Sequence, residues 1–237
     1  VLVDKPFAVN ATEAADMVTA CTTADVQLIE GFMYRYDPRH PRMQELITQG
    51  AIGNLRRVTM SFSFPIDRNQ PNVRLSAPLA GGALGDLGTY CVSASRLHMG
   101  TEPDRLIARL DIDPCLDVDM DGAAILEFRN QQVALIDFSF CTARRQKIEL
   151  LGDKGSISTE RPLVPSREIT TVVIETPGRT LTARFAPFDS YQAEVENLSD
   201  AIQSIAPPLV DGNEALQNMR VLDAVRVSAH TGEWETL

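Results

Sequence analysis

Three short segments of this 237-residue chain hold residue types that can do chemistry at spacings that bring them together. In the first, Asp4-Lys5-Pro6 follows the apolar run Val1-Leu2-Val3. A proline biases the residue before it toward extended geometry, so Pro6 sets where the Lys5 ammonium points. A lysine at the carboxyl end of a parallel strand sits where open α/β sheets bind their ligands. The second segment, Gly31-Phe32-Met33-Tyr34-Arg35-Tyr36, also ends an apolar run. The third is Gly81-Gly82-Ala83-Leu84-Gly85-Asp86-Leu87-Gly88-Thr89-Tyr90. Its four glycines let a backbone approach a ligand closely. Asp86 and Tyr90 share a face if a helix starts at Asp86. Each segment alone also has a plainer reading: a solvated lysine, an aromatic contact between domains, and a helix cap with a core tyrosine.

The elements that must position these residues fall into two regimes. Val1 to Val3 read as a strand end, and Asn10 with Glu13 opens a helix carrying Ala14, Met17, Val18 and Cys21 inward. Val26 to Met33 reads as a second strand, completing a βαβ unit with a parallel sheet. A helix over Pro41–Thr48 stops at Gly50. From Leu55 the apolar period changes to two, and strand patterns recur near 105–112, 119–128, 132–140, 146–151, 155–159, 169–175 and 179–185. Tight turns between them predict a largely antiparallel sheet. Two helices close the pattern at about 189–205 and 212–230, the second between Asp211 and Gly232.

Composition narrows the function. With 22 Lys and Arg against 32 Asp and Glu the net charge is −10, which disfavours nucleic acid as a partner. No apolar run is long enough for a membrane-spanning helix, and the N-terminus lacks a secretory pattern. Cys21, Cys91, Cys115 and Cys141 are scattered, which predicts reduced thiols and a cytoplasmic setting.

Together the segments D-K-P, G-F-M-Y-R-Y and G-G-A-L-G-D-L-G-T-Y resemble the Gfo/Idh/MocA oxidoreductase family, in its branch of dihydrodiol dehydrogenases, xylose dehydrogenases and glucose–fructose oxidoreductases. Phe140-Cys141-Thr142-Ala143-Arg144-Arg145-Gln146 before a strand, and Gly152-x-x-Gly155 after it, extend the likeness. The resemblance implies the C-terminal part of a Rossmann domain over residues 1–36. An α+β domain with a large, mostly antiparallel open sheet follows over 37–237, binding substrate and forming a homodimer. It implies NADP or NAD as cofactor and a sugar, polyol or cyclic diol as substrate. Lys5, Asp86 and Tyr90 would be catalytic, with Tyr90 the acid/base. Lys5, Pro6, Tyr34 and Arg35 would meet the cofactor, and Arg74, Gly82, Asp86 and Tyr90 the substrate. Hydride transfer to a carbonyl carbon requires a proton on its oxygen. Tyr90 would exchange that proton near neutrality if a cation such as Lys5 stabilised its phenolate.

Two departures from the family pattern stand out. Asp4 replaces the usual glutamate, and no G-x-G-x-x-G occurs, so much of the dinucleotide-binding half is expected to be missing. The rival expectations are a noncatalytic remnant serving as a ligand-binding or dimerisation module, and a missing half supplied by another chain. Other signals are discounted. Asp117-x-Asp119-x-Asp121-Gly122 starts like a calcium loop, but Phe128 stands where a glutamate ligand is needed, so it reads as an acidic edge-strand face. His40, His98 and His230 read as isolated, with His98 complementing a helix dipole. No metal site is expected. Ser93 and Ser95 show no acid–base partner, and Trp234 reads as a packing anchor.

Overall fold

The computed structural model describes residues 1–237. Strand β1 (Leu2–Asp4) leads through helix α1 (Ala11–Thr23) to β2 (Ile29–Gly31), which pairs with β1 in parallel. The expected cap forms: the Asn10 side chain accepts the Glu13 N–H at 2.9 Å. The return bond reaches one residue further back than in a standard capping box, from the Val9 N–H to Glu13 Oε2 at 2.7 Å. The second strand is shorter than its apolar run. Asp4 pairs with Gly31, and two residues beyond Asp4 stands Pro6, which has no N–H to extend a ladder. The chain instead coils into a 3₁₀ turn over Met33–Tyr36.

Helix α2 spans Arg39–Thr48 and begins two residues before Pro41. The remaining elements are β3 (Leu55–Ser63), α3 (Thr89–Met99), β4 (Arg105–Asp113), β5 (Val118–Phe128), β6 (Gln132–Ser139) and β7 (Arg145–Gly152). They continue as β8 (Ser156–Glu160), β9 (Thr170–Thr176), β10 (Arg179–Phe185), α4 (Ser190–Ile202), α5 (Gly212–Thr231) and β11 (Glu235–Thr236).

Nine strands form one sheet in the order β10-β9-β8-β7-β3-β6-β5-β4-β11. Every neighbouring pair is antiparallel except β3 and β6, so the sheet is large, mixed and mostly antiparallel. Its centre is non-local: β3 inserts between β6 and β7, which are consecutive in sequence. That insertion buries the second half of β3 on both faces, where the alternating pattern of Arg57–Phe64 implied one. Ser61 and Ser63 stay buried by donating to Asp137 Oδ2 (2.5 Å) and the Ala143 carbonyl (2.7 Å).

One core runs from Phe7 and Phe32 through the inner face of the sheet to Leu222 and Val225 on α5. Helix α5 packs on β4 and also on α1, tying the parallel pair to the large sheet. The start of α3 lies close to the sheet because Gly88 has no side chain: a Cβ there would stand 3.1 Å from the Phe138 ring. The row Ile107, Ile125, Leu135 and Thr59, placed side by side by the strand registers, alternates with core residues and points to the opposite face. Ile125 on it is 39% exposed. Trp234 does not anchor the last helix. It is half-exposed beside the two-residue strand β11, with the Arg105 guanidinium 4.6 Å from its ring centroid. All four cysteines are free, and no helix is long and apolar enough to cross a membrane.

Candidate functional site

The chain enters α3 through a single π-helical turn over Leu84–Gly88. Such turns are frequent at functional sites. Here the Asp86 carbonyl oxygen accepts the Lys5 ammonium at 2.8 Å. The same ammonium donates to Asp86 Oδ1 at 2.5 Å, and Arg74 Nε donates to Asp86 Oδ2 at 2.6 Å. One carboxylate is therefore clamped between two cations from distant parts of the chain. Tyr90 follows one turn later, 5% exposed, with its ring edge-on to Phe32, Tyr34 and Phe62 at centroid distances of 5.3, 5.9 and 5.7 Å. Lys5 Nζ lies 5.0 Å from the centre of that ring.

Lys5, Asp86 and Tyr90 open on one cleft of about 600 Å³, walled by Met33, Gln146 and Glu194 among others. A recess of about 190 Å³ adjoins it through Asp4, Lys5, Arg74 and Asp86, and adds Pro6 and Gly82. Of the residues singled out in the sequence, these six (Lys5, Pro6, Arg74, Gly82, Asp86 and Tyr90) meet around the cleft and its recess. Tyr34 and Arg35 stand behind it. The Tyr34 hydroxyl is buried against Ser93 Oγ at 2.7 Å, and Arg35 Nη1 donates to Glu214 Oε1 at 3.0 Å.

The electrostatics differ from the expectation in one respect. Lys5 faces the Tyr90 ring rather than its oxygen, and its charge is neutralised by Asp86. Burial pushes the Tyr90 phenol well above its ordinary range, helped by Tyr191, Asp86, Asp4 and Tyr34. Tyr90 is thus held as a protonated phenol, a proton donor. Its only hydrogen bond is a long one to Met33 Sδ, 3.5 Å away.

Asp119 is a site residue that the sequence pattern hid. Strand β5 lies between β4 and β6, so the acidic run is not an edge face. A bulge opposite Asp111–Ile112 re-aims the strand, and Asp119 Oδ2 accepts the Leu84 N–H at 2.5 Å, at the entry to the π turn. Gly82, at φ +120°, makes room for it: a Cβ there would come within 2.1 Å of Asp119 Oδ1. The D-x-D-x-D spacing was the available signal; the amide it serves, 35 residues away, was not. The histidines also differ from their reading. His40 Nδ1 and His98 Nε2 are 3.1 Å apart in stacked, buried rings, and His40 Nε2 bonds the Pro162 carbonyl at 2.9 Å. Burial lowers both imidazoles, His40 to about 4, so His98 is neutral and does not complement the helix dipole as a cation.

Glu30, fully buried, supports the Lys5 turn. Its Oε1 accepts the Phe7 N–H at 3.0 Å, and its Oε2 has no partner. Burial pushes the carboxyl up to about 8, against the lowering by the Phe7 N–H and Arg96. His40 and His98, whose imidazoles burial lowers, act in the opposite sense near pH 6.5, where their unfolded forms still take up protons, and that contribution fades above pH 7. An unfolded Glu30 is ionised there, whereas the folded one holds its proton. The folded state therefore binds more protons, and stability falls by up to ~1.4 kcal/mol per pH unit as pH rises toward 8. Glu194, pushed up to about 7 by burial and Asp4, adds to the lower part of that range. Chemical denaturation from pH 7 to 8 is expected to show this decline, with Glu30→Gln flattening it. An unchanged slope in that variant would exclude Glu30 as its source.

Comparisons with known proteins identify the family. Residues 40–158 match the family model of the GFO/IDH/MocA C-terminal domain. The chain is 35% identical over 233 residues to a D-xylose 1-dehydrogenase (NADP(+)) of Haloferax volcanii, covering 98% of this chain and 71% of that protein. A trans-1,2-dihydrobenzene-1,2-diol dehydrogenase of Xenopus laevis is 30% identical over 158 residues, covering 66% of this chain and 47% of its own. Among solved structures, a 3-ketoreductase from Actinomadura kijaniata in complex with NADP and TDP-benzene superposes with a TM-score of 0.91 at 26% identity, over 96% of this chain and 70% of its own. An aldose–aldose oxidoreductase from Caulobacter crescentus shares the fold, with a TM-score of 0.92 at 24% identity over 100% of this chain and 72% of its own. With the DKP turn, the glycine-rich π turn and the open sheet all in place, this chain belongs to the Gfo/Idh/MocA oxidoreductase family.

Proposed function

We propose that the family's NAD(P)-dependent hydride transfer runs in this chain on a small sugar, polyol or diol, with the Tyr90 hydroxyl as acid/base. The observation that carries this reading is the protonated, buried Tyr90 phenol on the same cleft as the Lys5–Asp86–Arg74 clamp. The donor set fits NADP or NAD. A cation at the carboxyl end of β1 and the apolar ring of Pro6 line the recess next to Tyr90, where Lys5 and Pro6 would hold the ribose and the nicotinamide ring. When bound, the nicotinamide supplies or takes up the hydride. The protein's own part is the proton. As negative charge grows on a carbonyl oxygen in the cleft, Tyr90 donates to it, and in the oxidative direction takes the proton back. Asp86 fixes the Lys5 ammonium at the face of the Tyr90 ring, where its pairing leaves the phenol protonated and ready to donate. Arg74, held on the far carboxylate oxygen, stops Asp86 from rotating away. Tyr34 and Arg35 would then support the site from behind.

On this reading residues 1–36 form part of a dinucleotide-binding domain, and residues 37–237 the substrate-binding and dimerisation domain. Two copies would pair through the sheet face bearing Ile107, Ile125 and Leu135. The test is nicotinamide absorbance with NADP(H) and NAD(H) against aldoses, polyols and a cyclic diol, with the active species sized at high dilution. Turnover by a dimer is expected. Cofactor binding without turnover on any of them would leave a binding module, and a stable active monomer would remove the dimer.

A further inference from the structure

Two polar side chains in the cleft have no role in the proton chemistry and no protein partner. Gln146 is 7% exposed and Glu194 is 5% exposed, and the Oε1 of each is shut from solvent without a hydrogen bond. Buried acceptors are nearly always satisfied, so an unpaired one in a native site calls for a donor that arrives later. Both line the cleft with Tyr90. Gln146 stands on β7 directly across from Phe62, whose ring touches that of Tyr90. Glu194 comes from the first turn and a half of α4. There the Asp189 carboxylate accepts the Tyr191 and Gln192 N–H groups and sets Tyr191 and Glu194 on one face.

We propose that Gln146 and Glu194 bind hydroxyl groups of a neutral polyhydroxylated substrate, an aldose or open polyol rather than a simple diol. The proposal rests on the oxidoreductase reading for one point only, that the reacting oxygen lies at Tyr90. Gln146 and Glu194 then need two further hydroxyls, which a vicinal diol does not have. Neutrality follows from the charges around the cleft. Lys5, Arg74 and Arg144 face Asp4, Asp86 and Glu194, and Lys5 and Arg74 are already paired with Asp86, so a phosphorylated substrate would meet one free cation, Arg144. A hydroxyl donor also favours the ionised Glu194, which burial and Asp4 otherwise oppose.

The test is the dissociation constant of two probes, D-xylose and trans-cyclohexane-1,2-diol, measured by NMR titration with and without NADP⁺ on the whole chain. Wild-type protein is expected to bind xylose more tightly than the diol. Gln146→Ala and Glu194→Ala are each expected to weaken xylose about tenfold or more, whereas the diol, with one hydroxyl beyond the reacting one, is expected to weaken in at most one of the two variants. Glu194→Gln keeps the shape and removes the anionic acceptor, so it carries the test should the alanine variant fail to fold. Xylose binding unchanged in the variants, both probes weakened equally in both variants, or no xylose binding by wild type would each overturn the proposal. Tyr90→Phe separates this from the catalytic reading. Full turnover in that variant would remove Tyr90 as acid/base yet leave the hydroxyl contacts standing, whereas loss of turnover with unaltered xylose binding supports both.

Discussion

Tyr90→Phe is expected to lower kcat by roughly 10²–10⁴-fold and to leave the unfolding transition where it is. The two halves of that expectation have separate physical causes. The stability of the position comes from the ring, packed edge-on against Phe32, Tyr34 and Phe62, and phenylalanine keeps every one of those contacts. The hydroxyl contributes almost nothing to the fold, since its one partner is the Met33 sulfur at 3.5 Å. A buried hydroxyl held protonated yet bonded only to a weak acceptor is free to bond a substrate oxygen. Tyr90→Ala would be a poorer test, because removing a buried aromatic ring costs about 3–5 kcal/mol and confounds activity with collapse of the site. Steady-state kinetics of Tyr90→Phe beside its thermal midpoint decide the matter: a variant as active as the wild type would show that another group donates the proton.

The largest expected loss of stability lies elsewhere, at the Asp37–Arg39 pair. Arg39 is fully buried, and its guanidinium forks onto Asp37, Nε to Oδ1 at 3.0 Å and Nη2 to Oδ2 at 2.7 Å. The remaining N–H groups reach Thr159 Oγ1 at 3.1 Å and the carbonyls of Glu160 and Arg161 at 2.9 Å each. The pair therefore fastens the start of α2 to the end of β8. Asp37→Ala leaves an unpaired charge in the interior and is expected to cost about 3–5 kcal/mol. The double variant Asp37→Ala with Arg39→Met, which removes both charges and fills much of the guanidinium's space, is expected to cost less. Urea titrations of the two variants test the order. If Asp37→Ala were the milder change, the pair would be a weak link rather than a fastening.

The division between what could be read from the chain and what could not follows the range of the interactions. Helix caps at Asn10 and Asp211, the stop at Gly232, eight of the nine sheet strands from their period, and the turn at Gly178 are local, set by a residue and its near neighbours. That Lys5, Asp86 and Tyr90 would come together was also legible, because Asp86 and Tyr90 sit within one glycine-rich segment and Lys5 within another that the family resemblance joins to it. Two kinds of feature were not. The first is sheet order: nothing in residues 55–63 says that they will lie between β6 and β7, since that pairing depends on which strand edges remain open after the hairpins form. The second is any polar group whose partner is remote, such as Asp119 at the Leu84 amide, His40 on His98, or Arg74 completing the Asp86 clamp. The Tyr90 phenol belongs with these. The family resemblance marks it as a candidate acid/base, but whether it is held as phenol or phenolate depends on burial and on where Lys5 points, and only tertiary packing decides both.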